Sequence, residues 1–156
     1  MKRIDIMEVI KATKHPAKIA IAVVKCDGKF NLITIEWFMR TSQKSPMFAI
    51  SIGKTRFSHK CLQKYRFFNL VILSQKMKNV AVLCGTKSGN EIDKLENVNW
   101  FAGKLAKLPI LKDAVANFEC KIVSQIKSGD HTIFVGEVKH SWLQNEKILT
   151  YLEMEK

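Results

Sequence analysis

The chain is poor in structure-breaking residues: 156 residues contain three prolines and seven glycines. There is no Pro/Gly/Ser linker, internal repeat or low-complexity tract, so one domain over residues 1–156 is expected. No apolar run is long enough to span a bilayer, and no membrane partner is expected. Residues 1–10 carry Asp5 and Glu8 and lack an apolar stretch, which does not read as a signal peptide. The cysteines Cys26, Cys61, Cys84 and Cys120 form no C-x-x-C pair and no zinc-type spacing with His15, His59, His131 or His140. Reduced thiols in a cytoplasm, with no metal site, are the simplest expectation. Catalytic signatures are missing as well: no G-x-G-x-x-G after the first strand, no Walker A, no G-x-S-x-G elbow and no H-E-x-x-H. Chemistry built on a side-chain nucleophile or a metal lacks an anchor, and no catalytic residue is assigned.

Acidic residues are also few, 14 against 26 lysines and arginines, a formal net charge of +12. Such a balance attracts phosphates, whether of nucleic acid, lipid or cofactor, although lysines scattered along the chain also serve solubility. The 47% hydrophobic content is that of an ordinary globular chain.

The hydrophobic pattern predicts about six strands with short helices between them. Residues 4–12 read as a short helix, broken by Pro16. Residues 18–25, KIAIAVVK, are apolar on both alternating faces and suit a strand buried on both sides. Asp27-Gly28 is a hairpin turn, and residues 30–37 return as a second strand. A third begins at Pro46. Residues 57–65 read as a helix, 67–73 as a strand and 75–83 as a helix, with a further turn or two within 88–95. Residues 103–111 read as irregular. Residues 118–126 alternate as a half-buried strand, Gly129-Asp130 turns, and residues 131–142 return, with Gly136 as a bulge or close-approach point. Residues 148–152 are expected to close the sheet. Strands and helices do not alternate, so a doubly wound fold is not expected and an antiparallel barrel fits better.

Four segments carry candidate chemistry. In residues 51–62, SIGKTRFSHKCL, a strand ends at a glycine and a helix begins near Ser58. Lys54, Thr55, Arg56 and Ser58 surround that helix start, which suits a phosphate or simply a capped helix. Residues 30–39, FNLITIEWFM, place Asn31 and Thr34 in an otherwise apolar strand, where backbone groups can bond the edge of a planar heterocycle. Residues 84–94, CGTKSGNEIDK, form a loop with Lys94 beyond it. Residues 129–138, GDHTIFVGEV, bring His131 to the start of a strand.

In order and spacing these segments resemble the flavin reductase-like, FMN-binding split-barrel family, from about Pro16 to Val138. The resemblance implies a mainly β fold: a six-stranded antiparallel Greek-key split barrel with short peripheral helices. It further implies a homodimer with FMN near the subunit interface. By that resemblance Thr34, Ile35, Glu36 and Trp37 lie along the isoalloxazine, with Asn31 beside them. Ser51, Lys54, Thr55, Arg56 and Ser58 hold the ribityl phosphate, Cys84, Gly85 and Lys94 approach the flavin or the partner subunit, and His131 faces the pocket. Glu36 departs from the small or hydroxyl residue often found at its position. The implied activity is an NAD(P)H-dependent reductase passing electrons to free flavin, ferric iron or another small acceptor, with NADH or NADPH as hydride donor. The alternative is a flavoredoxin-like electron carrier that ignores nicotinamides and serves an acidic redox protein. Nucleic acid is not the expected partner, because Trp37, Phe38, Phe57 and Phe68 are not interleaved with Lys/Arg in an RNA-binding pattern.

Overall fold

The structure is a computed structural model and describes residues 5–13 and 17–154. Pro16, and Ile4 at the start of the first expected helix, lie outside these residues.

Strand β1 (Ala20–Cys26) is buried on both faces, as its unbroken apolar run predicts. Side chains alternate along a strand. Ala20, Ala22, Val24 and Cys26 therefore join one apolar cluster with Phe68, Leu70 and Phe134, and Ile21 and Val23 join a second with Met77 and Ala81. The chain turns at Asp27-Gly28, with Gly28 at φ 68°, and returns as β2 (Lys29–Ile35). Strand β3 (Phe38–Ser42) pairs with β4 (Met47–Gly53). Helix α2 (Phe57–Tyr65) follows, and β5 (Phe67–Ile72) pairs with β1. A 3₁₀ turn (Gln75–Met77) runs into α3 (Lys78–Thr86). The long strands β8 (Ala116–Ser128) and β9 (His131–Leu143) form a hairpin, preceded by the small pair β6 (Trp100–Ala102) and β7 (Pro109–Leu111). Helices α1 (Ile6–Ala12) and α4 (Tyr151–Met154) flank the sheet in sequence.

The main sheet is antiparallel, in the order β2-β1-β5-β8-β9-β4-β3. Laid flat, seven strands about 4.8 Å apart would separate the two edges by about 29 Å. Yet the edge strands β2 and β3 are joined by Glu36 and Trp37 alone, which holds their adjoining ends within about 11 Å. The sheet is therefore rolled into a barrel, split between β2 and β3, where no ladder forms among the described residues.

Four details differ from the sequence reading. The main sheet has seven strands rather than six, because the predicted strand 30–37 ends at Ile35, and Phe38 starts a new strand on the opposite edge. No glycine or proline marks that corner, so a continuous apolar run hides it. The segment 103–111 is irregular only as far as Leu108, since Pro109–Leu111 pair with Trp100–Ala102. Residues 148–152 add no strand: Ile148 and Thr150 make single bridges to Ser74 and Lys18, and α4 starts at Tyr151. Finally, Cys26 and Cys61 are joined by a disulfide, 35 residues apart in sequence, and only Cys84 and Cys120 are free thiols. The two partners sit on a strand and a helix, a proximity that spacing does not reveal.

Gly136 is the predicted close-approach point. A Cβ there would lie 2.5 Å from the Phe68 ring and 2.8 Å from Cys120 Cβ. Both neighbours are fully buried, so neither can yield. Gly136→Ala is expected to cost about 1–3 kcal/mol, the usual penalty of overpacking, read as a shift in urea midpoint at unchanged slope.

Candidate functional site

Among the described residues strand β2 pairs only with β1, so no strand occupies its other edge. Backbone groups of alternate residues in an antiparallel strand point to the same side. The Leu32 carbonyl points to the free edge, where it accepts from Lys94 Nζ at 2.7 Å, and by the same parity the Thr34 N–H and C=O face that way. The free edge runs beside a cavity of about 360 Å³ lined by β2, the start of α2, the end of α3 and residues 86–94. Asn31, Thr34, Thr55, Arg56, Ser58, Cys84, Gly85 and Lys94 all line it. A second cavity of about 240 Å³ adjoins it across Ile33, Thr34 and Arg56, which line both. Ile35, Glu36, Trp37, Ser51 and His131 line this second part.

The walls are held by specific bonds. Asn31 Nδ2 donates to Ser58 Oγ at 2.8 Å, and both residues are buried. Ser58 thus bonds the strand, and Arg56, the cap residue before α2, makes no side-chain capping bond. The first turn of α2 presents the positive end of the helix dipole beside Thr55, Arg56 and Ser58. Thr34 Oγ1 donates to Ala81 O at 2.6 Å and fixes α3 to β2. Gly85 rests against Thr34, where a Cβ would meet the Thr34 Cβ at 3.4 Å. Cys84 and Gly85 belong to the last turn of α3, not to a loop as the sequence suggested.

Lys94 is 3% exposed. Its Nζ donates to Leu32 O at 2.7 Å and Cys84 O at 3.2 Å. Burial holds its ammonium below the usual lysine range, while Cys84 and Glu91 act in the opposite direction. An ammonium has three protons, so one remains beyond these two carbonyls. The Cys84 thiol is pushed up to about 11 by burial, partly offset by Lys94, and burial drives the Cys120 thiol higher still. Both stay protonated at pH 8, and iodoacetamide is expected to label them only after unfolding, as peptide mass spectrometry will show.

His131 Nδ1 lies 2.7 Å from Asp130 Oδ1, and its ring packs on Trp37 at 4.7 Å between centroids. That contact holds the Asp130 carboxyl below its usual range. Trp37 is 59% exposed, and Met39 beside it is exposed too.

One expected site residue lies apart from the joined cavities. Lys54 lines a different cavity, with His59, Lys60, Lys127 and Thr132, and its Nζ donates to Gly129 O. The cause is a contact distant in sequence: the Lys54 amide donates to Asp130 O at 2.9 Å, which aims the side chain toward the β8–β9 tip. Residues not named as site residues in the sequence reading also line the first cavity: Ile33 and Phe57, and Thr86, Lys87, Ser88, Gly89 and Glu91 of the loop it singled out. Gly89 carried a signal, as a glycine inside a polar run. A Cβ there would lie 2.2 Å from Asn31 Oδ1, so only glycine lets this loop close over Asn31.

A family model described as "Flavin reductase like domain" matches residues 12–155. The chain belongs to the flavin reductase-like domain family. A Streptomyces globisporus protein named NADH-dependent FAD reductase is 31% identical over 107 residues, 68% of this chain and 59% of that protein. An Archaeoglobus fulgidus protein is 30% identical over 72% of this chain and 64% of its own length. The chain thus spans less than two thirds of either relative. Among solved structures, an FMN-binding protein from Thermus thermophilus with bound cyclohex-2-enone superposes with TM-score 0.78 at 30% identity, covering 84% of this chain and 72% of that one. Flavoredoxin from Methanosarcina acetivorans shares the fold, with TM-score 0.83 at 23% identity over 93% of this chain and 77% of that one. Among the described residues, no helix of this flavin reductase-like chain is long and apolar enough to cross a membrane.

Proposed function

We propose that the chain binds FMN in the joined cavities and acts as a reductase, with NADH or NADPH as hydride donor and free flavin, ferric iron or another small molecule as acceptor. The observation that carries this reading is Lys94, a buried cation bonded to two carbonyls on the wall of a cavity that also holds Arg56 and an uncapped helix start. A cation desolvated without a bonded carboxylate favours an anionic occupant. Taken together, the joined cavities of about 360 and 240 Å³ fall in the range of small-molecule sites, roughly 300–1,000 Å³. The donor set therefore fits a phosphate attached to a flat, uncharged ring.

In this reading Thr55, Arg56 and the first turn of α2 hold the phosphate. Lys94 carries its spare proton to the anion or to the ring edge. The free edge of β2 offers the Thr34 backbone groups to the ring, and Gly85 lets the ring lie close to Thr34. The Trp37–His131 stack covers the outer part and excludes water. Bound FMN would supply hydride acceptance and one- or two-electron transfer, which the side chains do not. A homodimer follows from the same reading: Trp37, which lines the outer cavity, is exposed together with Met39 two residues on, and a second copy would cover them.

Anaerobic addition of NADH and NADPH to the FMN-loaded protein tests the proposal. Bleaching of the flavin bands followed by turnover with an added acceptor supports the reductase. Bands that stay unbleached by nicotinamides, but bleach with an acidic redox protein, replace it with the electron carrier; the net charge of +12 would suit such a partner. Failure to bind FMN at all refutes both.

A further inference from the structure

The disulfide links the two walls of the flavin cavity. Cys26 ends β1, directly before the turn into β2, and Cys61 lies one helical turn beyond Phe57 in α2. Strand β2 brings Asn31, Ile33 and Thr34 to one wall, and α2 brings Phe57 and Ser58 to the other. Besides the apolar packing of Leu62 in the core and Lys29 over the Phe57 ring, the remaining polar ties across this seam are weaker. The Asn31–Ser58 bond is neutral, and Asp27, which meets Lys64 and Tyr65, is exposed together with Lys64, so their pairing is screened by water.

We propose that Cys26–Cys61 is a redox latch on this cavity, and that its reduction by a dithiol loosens α2 and weakens flavin retention. The inference rests on the proposal that the cavity holds FMN. In the step itself the S–S bond breaks and each sulfur takes one proton. The two electrons and two protons come from the dithiol, which closes to its own disulfide. Cys26 is 2% and Cys61 6% exposed, so attack requires α2 to move first. A ligand bonded to the first turn of α2 opposes that movement. Latch and ligand are therefore coupled, and the coupling is reciprocal.

The experiment measures FMN affinity of the oxidised and the dithiothreitol-reduced protein, with near-UV circular dichroism confirming the fold and the visible bands confirming oxidised flavin. Reduction is expected to raise Kd by about tenfold. Reciprocity then requires saturating FMN to make the disulfide about tenfold harder to reduce, a shift of about 30 mV in a dithiol redox buffer. The double variant Cys26→Ser/Cys61→Ser should bind like the reduced protein and ignore dithiothreitol. Asn117→Ala serves as a control for mere instability: it breaks bonds to Leu111 and Asn69 away from the cavity, and should keep the wild-type response. Equal Kd in both redox states of the folded protein overturns the latch and leaves the flavin reading standing. A double variant that still responds to dithiothreitol also overturns it. If neither form binds FMN, the flavin reading falls and the latch with it.

Discussion

Lys94→Met is expected to weaken FMN binding by about 10- to 150-fold, the loss of one charge-assisted hydrogen bond in a desolvated site. Lys54→Met removes the same charge from an exposed side chain turned toward the β8–β9 tip, and should change affinity by far less, because exposed charges are screened by water and salt. The pair separates a directed ammonium from the general attraction of a chain of net charge +12. Folding stability should move little in Lys94→Met. The variant leaves Leu32 O and Cys84 O without their donor, at about 1–3 kcal/mol per group, but it also removes the cost of desolvating an ammonium. The pH dependence gives an independent check. The pKa of Lys94 in the folded chain lies below its ordinary 10.5, so the unfolded chain binds the extra proton and stability of the free protein rises as pH climbs through that window. FMN affinity should run the opposite way, falling as the ammonium is lost, and should be flat over the same range in Lys94→Met. Fluorescence titration across pH measures both proteins.

Reducing the disulfide should lower folding stability by about 3–4 kcal/mol, the loop-closure entropy that a cross-link over this span removes from the unfolded chain. The span is 35 residues and encloses β2, β3, β4 and the start of α2. A domain stability of about 5–15 kcal/mol makes this the largest effect of any single bond described above. Urea unfolding with and without dithiothreitol measures it. The drop should be accompanied by a steeper unfolding slope, since the reduced chain exposes more surface when unfolded. Cys84→Ser and Cys120→Ser should leave the dithiothreitol response intact, because neither thiol is paired.

How far the sequence disclosed this depends on the kind of information each residue carries. Strand β1 and the β8–β9 hairpin were legible because burial imposes alternation and turns demand particular residues: Gly28 and Gly129 both sit at positive φ. The Glu36–Trp37 corner was not, since a change of sheet edge needs no special residue when both sides are apolar. Thirteen of the fourteen expected site residues line the joined cavities, because a strand end and a helix start are local features readable from a short window. Lys54 lies apart from them for a non-local reason: the β8–β9 tip, more than seventy residues away, bonds its backbone and side chain. The Cys26–Cys61 pairing is likewise a product of packing between elements. Lys94 was singled out only as a charge beyond a loop. Its burial depends on the 3₁₀ turn Lys94–Asn97 folding against β2, which propensity does not dictate.

The strand order has a temporal consequence. Strand β4 is made early but pairs with β9, with Met47 opposite Glu137 and Gly53 opposite His131. A chain emerging from the ribosome must therefore hold β4 on one side unpaired while more than half of the sequence is still unmade. Such distant pairings place the fold among slow, milliseconds-to-seconds folders. The outer cavity, which needs Trp37, Ser51 and His131 together, is complete only when the last long strand arrives. On the proposed FMN reading, cofactor loading is thus a late event in the life of each molecule, and a truncation before residue 131 would yield a chain with most of the residues proposed for the phosphate and no finished place for the ring.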